Sequence, residues 1–209
     1  MTHPIDTLGR SLHDLRISVT DRCNMRCTYC MPEEIFGRDY AFLNKPELLT
    51  YEEIARLARI FSHCGVRKIR LTGGEPLIRK ELDHLVKFIS AIPGIDDIAL
   101  TTNGLLLDQT ADALRAAGLN RVTVSLDAID DEIFKKMNGR GIEVKRVMQG
   151  IEAAVFAGLP VKINMVVEKG VNEGQVLLMA RYARDNGHTL RFIEFMDVGN
   201  ANHWQSDKI

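Results

Sequence analysis

Six short runs of the chain read as β-strands: residues 15–20, 68–72, 98–102, 121–126, 161–167 and 190–196. Between them lie stretches with the apolar spacing of amphipathic helices, at 51–63, 80–91, 105–117, 142–157 and 173–186. The first of these opens on Thr50 and Glu53, the S/T-x-x-E pattern of a capping box, and Gly65 stops it. Gly118, Gly158 and Gly187 each follow a helical stretch and precede a strand, as a C′ glycine does. Strand and helix thus alternate along the chain, which predicts a parallel sheet with helices covering it. No linker or low-complexity segment interrupts the alternation, so residues 1–209 read as a single α/β domain.

The strands differ from those of a closed α/β barrel, where both faces are apolar. Alternate residues put Arg16, Ser18 and Thr20 on one side of the first strand and Lys68, Arg70 and Thr72 on one side of the second. Thr101 and Asn103, then Thr123, Ser125 and Asp127, then Lys162 and Asn164 repeat the pattern in the next three. The other sides are Ile, Val and Leu. A polar, cationic face is costly to bury without partners. The pattern therefore points to a wide, partly open barrel whose polar lumen holds a ligand. The alternative is an open sheet with one solvated face. Arg16, Arg70 and Lys162, on three separate strands, suit a polyphosphate, with arginine as bidentate donor and lysine as point charge.

Composition adds exclusions. The 209 residues are 45% hydrophobic and 26% charged, a soluble globular profile. Lys and Arg total 27 and Asp and Glu 28, a formal net charge of −1, which argues against a nucleic-acid binder and against an acidic tail. No run of 18 apolar residues suggests a spanning helix, and the first 15 residues lack the apolar core of a signal peptide. A cytoplasmic protein with no membrane partner is the expectation.

Three of the four cysteines, Cys23, Cys27 and Cys30, lie within eight residues as C-x3-C-x2-C. Three clustered thiols cannot pair off among themselves, and they supply three of the four ligands of a tetrahedral metal or iron–sulfur site. A structural zinc would normally need a fourth ligand. Cys64 and His63 are candidates, but they stand on a predicted helix more than 30 residues away. The other reading is a [4Fe–4S] cluster with one iron left free for a small molecule. The second strand ends in TGGEP at 72–76, where the glycines permit close backbone approach.

The segment RCNMRCTYCM at 22–31 resembles the signature of the radical S-adenosylmethionine (SAM) superfamily, aromatic residue before the last cysteine included. TGGEP resembles that superfamily's SAM-contacting glycine motif. Within the superfamily, the chain is most similar to the GTP 3′,8-cyclase family of molybdenum cofactor biosynthesis. Six segments carry that likeness: LRISVTDRCNMRCTYCMP, KIRLTGGEPLIRK, TTNG, VTVSLDA, VKINMVV and RFIEFMDVG. The resemblance implies a partial (β/α)6 TIM-like barrel with the cluster at its open top.

Carried over one at a time, the resemblance implies that Cys23, Cys27 and Cys30 ligate three irons. It implies that Tyr29, Gly74, Ser125 and Met196 contact SAM, and that Arg16, Arg70, Thr101 and Lys162 hold GTP. Lys68 and Arg191 are weaker candidates for phosphate contact. Strand parity over 190–196 puts Arg191 and Met196 on opposite faces, and Met196 is the one retained. The implied reaction is abstraction of the ribose 3′ hydrogen and attack of the resulting carbon on C8 of guanine. Its product is 3′,8-cyclo-7,8-dihydro-GTP. Further implied partners are an external electron donor, a second copy of the chain as a homodimer, and the cyclic pyranopterin monophosphate synthase of the same pathway. The family continues into a second cysteine cluster that this 209-residue sequence lacks, so a truncated form is the expectation. Two other readings are another radical SAM enzyme, such as a peptide-modifying maturase, and a non-catalytic zinc module. His13, His63, His84 and His188 read as surface or packing residues rather than ligands.

Overall fold

The computed structural model of the chain describes residues 4–199, Ala201 and Trp204. Both ends of the expected 1–209 domain therefore lie outside the described residues. Six strands, β1 (Asp14–Ser18), β2 (Lys68–Thr72), β3 (Asp97–Thr102), β4 (Arg121–Ser125), β5 (Val161–Val167) and β6 (Thr189–Glu194), form one parallel sheet in sequence order. The helices between them are α1 (Tyr51–His63), α2 (Leu82–Ser90), α3 (Leu107–Ala117), α4 (Asp131–Asn138), α5 (Val144–Phe156) and α6 (Val176–Asp185). Parallel neighbours need such crossovers, and short ones keep consecutive strands adjacent.

Local chemistry fixes the boundaries. Thr50 Oγ1 accepts from Glu53 N at 3.2 Å, and Glu53 Oε2 accepts from Thr50 N at 2.7 Å, the reciprocal box read from the sequence. The eight-residue α4 was not expected. Asp130 caps it by accepting from Ile133 N at 3.0 Å, and Gly139 ends it with φ +62°. The helix expected at 80–91 begins only at Leu82, because Glu81 takes a left-handed conformation at its N-cap.

Ile69, Leu71, Leu100, Val122, Val124, Ile163 and Met165 on the outer face of the strands meet Leu85, Ile89, Leu114, Val147 and Ile151 of the helices, all fully buried. Each such side chain contributes about 1.5–3 kcal/mol on burial, so this layer holds the frame on which the inner face can be polar. That inner face is in register. Arg16 stands beside Arg70, Thr101 beside Thr123, Thr123 beside Lys162, and Ser125 beside Asn164, which stands beside Arg191. One cavity is lined by residues from all six strands, from Arg16 of β1 to Ile193 of β6. A flat sheet cannot do this, so the strands curl into a partial barrel. Among the described residues, no helix is long and apolar enough to cross a membrane.

Candidate active site at the strand ends

The site is built on the loop that leaves β1. Val19 N still donates to Thr72 O, and then the chain turns across the C-terminal ends of the strands. The turn after β2 grips it: Gly74 N donates to Thr20 O at 2.8 Å and Glu75 N to Arg22 O at 2.7 Å. A Cβ on Gly73 would overlap the Thr20 carbonyl, and one on Gly74 the Arg22 carbonyl. The paired glycines are thus required by contact with the preceding loop, whatever small molecule they also meet. The far side of the loop is held by α4. Arg26 N donates to Asn138 O and Thr28 N to Met137 O, both at 3.0 Å, and a Cβ on Gly139 would overlap the Arg26 carbonyl.

So held, the loop turns Cys23, Cys27 and Cys30 into one cavity of about 270 Å³, all three as free thiols. Burial pushes each of them above the ordinary thiol range, Cys27 furthest. Cys23 and Cys30 each add to the rise at Cys27, so the three sulfurs act within one electrostatic neighbourhood. Cys64 takes no part, since it caps the C-terminus of α1. Among the described residues, no three His, Cys, Asp or Glu side chains converge closely enough for a single metal ion. The donor set, three soft sulfurs in one cavity, fits a multi-iron cluster in which each thiolate takes its own iron.

A polar collar surrounds the thiols. Tyr29 Oη donates to Asp127 Oδ2 at 2.8 Å, and Val166 N donates to Asp127 Oδ1 at 2.9 Å. Burial raises the Asp127 carboxyl to about 6 against both hydrogen bonds. Burial also pushes the Tyr29 phenol well up, and it stays protonated as a donor. Glu75, 1% exposed, accepts from Thr102 Oγ1, Asn103 N and Leu77 N at 2.7, 2.7 and 3.0 Å. Desolvation still raises its carboxyl. Asn103 Nδ2 donates to Asn24 Oδ1 at 2.7 Å, within 4.0 Å of Cys23 Sγ.

Of the residues singled out from sequence, Arg16, Tyr29, Gly74, Thr101 and Ser125 line this cavity with the three cysteines. Arg70 does not. It lines a second cavity of about 260 Å³ with Asp14, Arg16, Lys68 and Arg121. Arg16 borders both. Lys162 lies on the same inner face, beside Thr123. Met196 stands outside the cavity lining and is 53% exposed.

One inner-face cation was missed and another was set aside. Arg121 points inward and pairs with Asp97, with Nε 3.0 Å from Oδ1. Arg191 was set aside by a parity argument that ran the strand through Met196. β6 in fact stops at Glu194, so parity does not link the two, and Arg191 faces inward beside Asn164. Desolvation, and then the charges of Arg121, Arg191 and Arg16, depress the Arg70 guanidinium. Arg191 Nε and Nη2, Thr101 Oγ1, Thr123 Oγ1 and Asn164 Oδ1 are buried with no hydrogen-bond partner. Orphaned buried polar atoms on this scale are rare in folded proteins and mark a place for a polar ligand.

Residues 17–183 match the sequence profile of the Radical SAM superfamily. A GTP 3′,8-cyclase of Acidothermus cellulolyticus is 57% identical over 208 residues, which is 99% of this chain and 58% of the relative. A GTP 3′,8-cyclase of Staphylococcus saprophyticus is 53% identical over 204 residues, 98% of this chain and 60% of the relative. The chain therefore spans about 60% of the length of these curated relatives. The solved structure of Streptococcus suis SuiB bound to S-adenosylmethionine superposes with a TM-score of 0.76 at 18% identity, over 92% of this chain and 43% of SuiB. Methylornithine synthase (PylB) superposes with a TM-score of 0.73 at 19% identity, over 95% of this chain and 58% of that one. At such identities the likeness concerns the fold.

Proposed function

The chain belongs to the radical SAM superfamily, and we propose that it is the catalytic barrel of a GTP 3′,8-cyclase, acting in molybdenum cofactor biosynthesis. The observation that carries this reading is the row of inner-face cations below the thiols. Arg16, Arg70, Arg191 and Lys162 come from four strands, and two nitrogens of Arg191 are buried and unpartnered. A peptide substrate of the maturase kind would not call for such a concentration of positive charge, whereas a triphosphate does. The 53–57% identity to cyclases across the matched region supports the same reading.

In this reading Cys23, Cys27 and Cys30 hold a [4Fe–4S] cluster. When bound, the cluster and SAM together supply one-electron cleavage of a C–S bond, which yields a hydrogen-abstracting radical and draws its electron from an external donor. The protein residues do the rest. The Gly73–Gly74 turn and Ser125 border the cavity beside the thiols and offer polar contacts to SAM. Tyr29, fixed by its bond to Asp127, presents its ring there. The cations clamp the triphosphate deeper in the lumen, with Thr101, Thr123 and Asn164 supplying neutral partners. That clamp fixes the ribose toward the thiol end of the cavity, and such positioning accounts for much of the rate in any two-centre reaction.

Met196 as a SAM contact, the homodimer and the cyclic pyranopterin monophosphate synthase as pathway partner remain part of the proposal through resemblance alone. The test is anaerobic incubation with SAM, GTP and dithionite, followed by mass identification of the product. The chain and a version extended to the length of its relatives are compared. 5′-Deoxyadenosine together with a cyclised GTP product from the extended form supports the proposal. 5′-Deoxyadenosine formed at a rate indifferent to GTP, with no nucleotide product, refutes the substrate.

A further inference from the structure

Arg26 occupies the spacer between the first two cysteines and is only 8% exposed. Its Nη1 donates to Cys23 O and Met25 O at 2.8 Å each, and its Nε to Phe36 O at 2.7 Å. The guanidinium lies 5.5 Å from the centre of the Phe42 ring. Every one of these partners is neutral. Among the described residues, no carboxylate forms an ion pair with Arg26, whereas Arg121 has Asp97 and Arg140 has Glu33. A buried charge without a counter-charge is among the costliest features a fold can carry. Carbonyl oxygens require donors, not a net positive charge, so a role as loop brace explains the hydrogen bonds and leaves the charge unexplained.

The missing anion has an obvious source. Arg26 adjoins Cys27 in the chain and is bonded to the Cys23 carbonyl. The three thiols of this loop become thiolates on ligating iron, and a [4Fe–4S] unit with three thiolates is net anionic. It gains one more negative charge on reduction. Net charge and nearby hydrogen bonds are the protein's main means of setting the potential of such a cluster.

We propose that Arg26 is the built-in counter-charge of the cluster, a positioning residue that stabilises the loaded loop and raises the cluster's reduction potential. This rests on the superfamily assignment and is independent of which substrate is bound. Two variants separate charge from bracing. Arg26→Gln removes the charge and keeps a donor, while Arg26→Lys keeps the charge with fewer donors in a different geometry. The readouts are the midpoint potential of the loaded protein, from a redox titration followed by electron paramagnetic resonance, and the rate of iron loss to a chelator. The proposal expects a more negative midpoint for Arg26→Gln, a near-native one for Arg26→Lys, and faster iron loss from the glutamine variant. Should the glutamine variant hold no cluster while the lysine variant does, the charge is again supported. Equal midpoints in wild type and both variants overturn it. So do equal shifts in the two variants, equal loss of iron, or a lysine variant that loses iron faster than the glutamine one. Absence of any cluster signal in the wild type would instead count against the superfamily chemistry itself.

Discussion

Replacing Asp127 by asparagine is expected to stabilise the metal-free chain, and only where the carboxyl is ionised. Asp127 is 4% exposed and sits between Tyr29 Oη and Val166 N. Asparagine keeps the shape: its oxygen still accepts from Val166, and its amide can donate to the Tyr29 oxygen. What changes is the charge. Burial lifts the carboxyl from 3.8 to about 6, which corresponds to about 3 kcal/mol against the ionised form in the folded chain. Because the folded value lies above the unfolded one, that penalty is complete above about 6 and fades as the pH falls toward about 4. Allowing for the weaker neutral hydrogen bond, Asp127→Asn should gain about 1–3 kcal/mol at pH 8 and a small fraction of that at pH 4.5. Urea unfolding of both proteins at pH 8 and pH 4.5 measures this, and the double difference cancels all other titrating groups. A variant destabilised by the same amount at both pH values would show that the carboxylate's charge is already compensated in the fold, and the electrostatic account of the collar would be wrong.

Other consequences are equally direct. Gly74→Ala should push the Arg22 carbonyl, and with it the cysteine loop, off the turn after β2, lowering iron content per chain and costing about 1–3 kcal/mol of stability, as overpacking does. Retention of full iron content would show that the loop has slack there. Asp131 accepts from Lys135 Nζ and from Val144 N, and the Lys135 contact is the larger cause of its depressed carboxyl. Its support for the start of α5 is present above the ordinary aspartate value and lost as the pH falls through the lowered one. Lys135→Met should move the Asp131 titration upward in a carbon-detected NMR titration, and an unmoved titration would assign the effect to Val144 alone.

Much of this was legible in the sequence, for physical reasons. The Thr50–Glu53 box and the glycines at 118, 158 and 187 are local signals, and local signals survive folding. The inward placement of Arg16, Arg70 and Lys162 followed from strand periodicity, which a parallel ladder enforces. What escaped depends on where elements stop or on what lies opposite them. Arg191 was misjudged because nothing local ends β6 at Glu194. The eight-residue α4 is too short for its apolar period to stand out, although Asp130 and Gly139 mark both ends. Gly139 reads as an ordinary helix stop, and only the folded chain brings the Arg26 carbonyl against it. Arg26 itself occupies a spacer position, and no spacing rule reveals that a spacer side chain is buried. The roles of Tyr29, Ser125 and Met196 toward SAM came from resemblance, and the fold adds cavity lining for the first two.

The central claim is that three thiols on one loop hold the group that cleaves SAM. Reductive cleavage by anaerobically reconstituted wild type and Cys27→Ala, followed as 5′-deoxyadenosine formed with dithionite as reductant, tests it most directly. The wild type should form the nucleoside and the variant should form none. A variant that forms it at the wild-type rate would contradict the account.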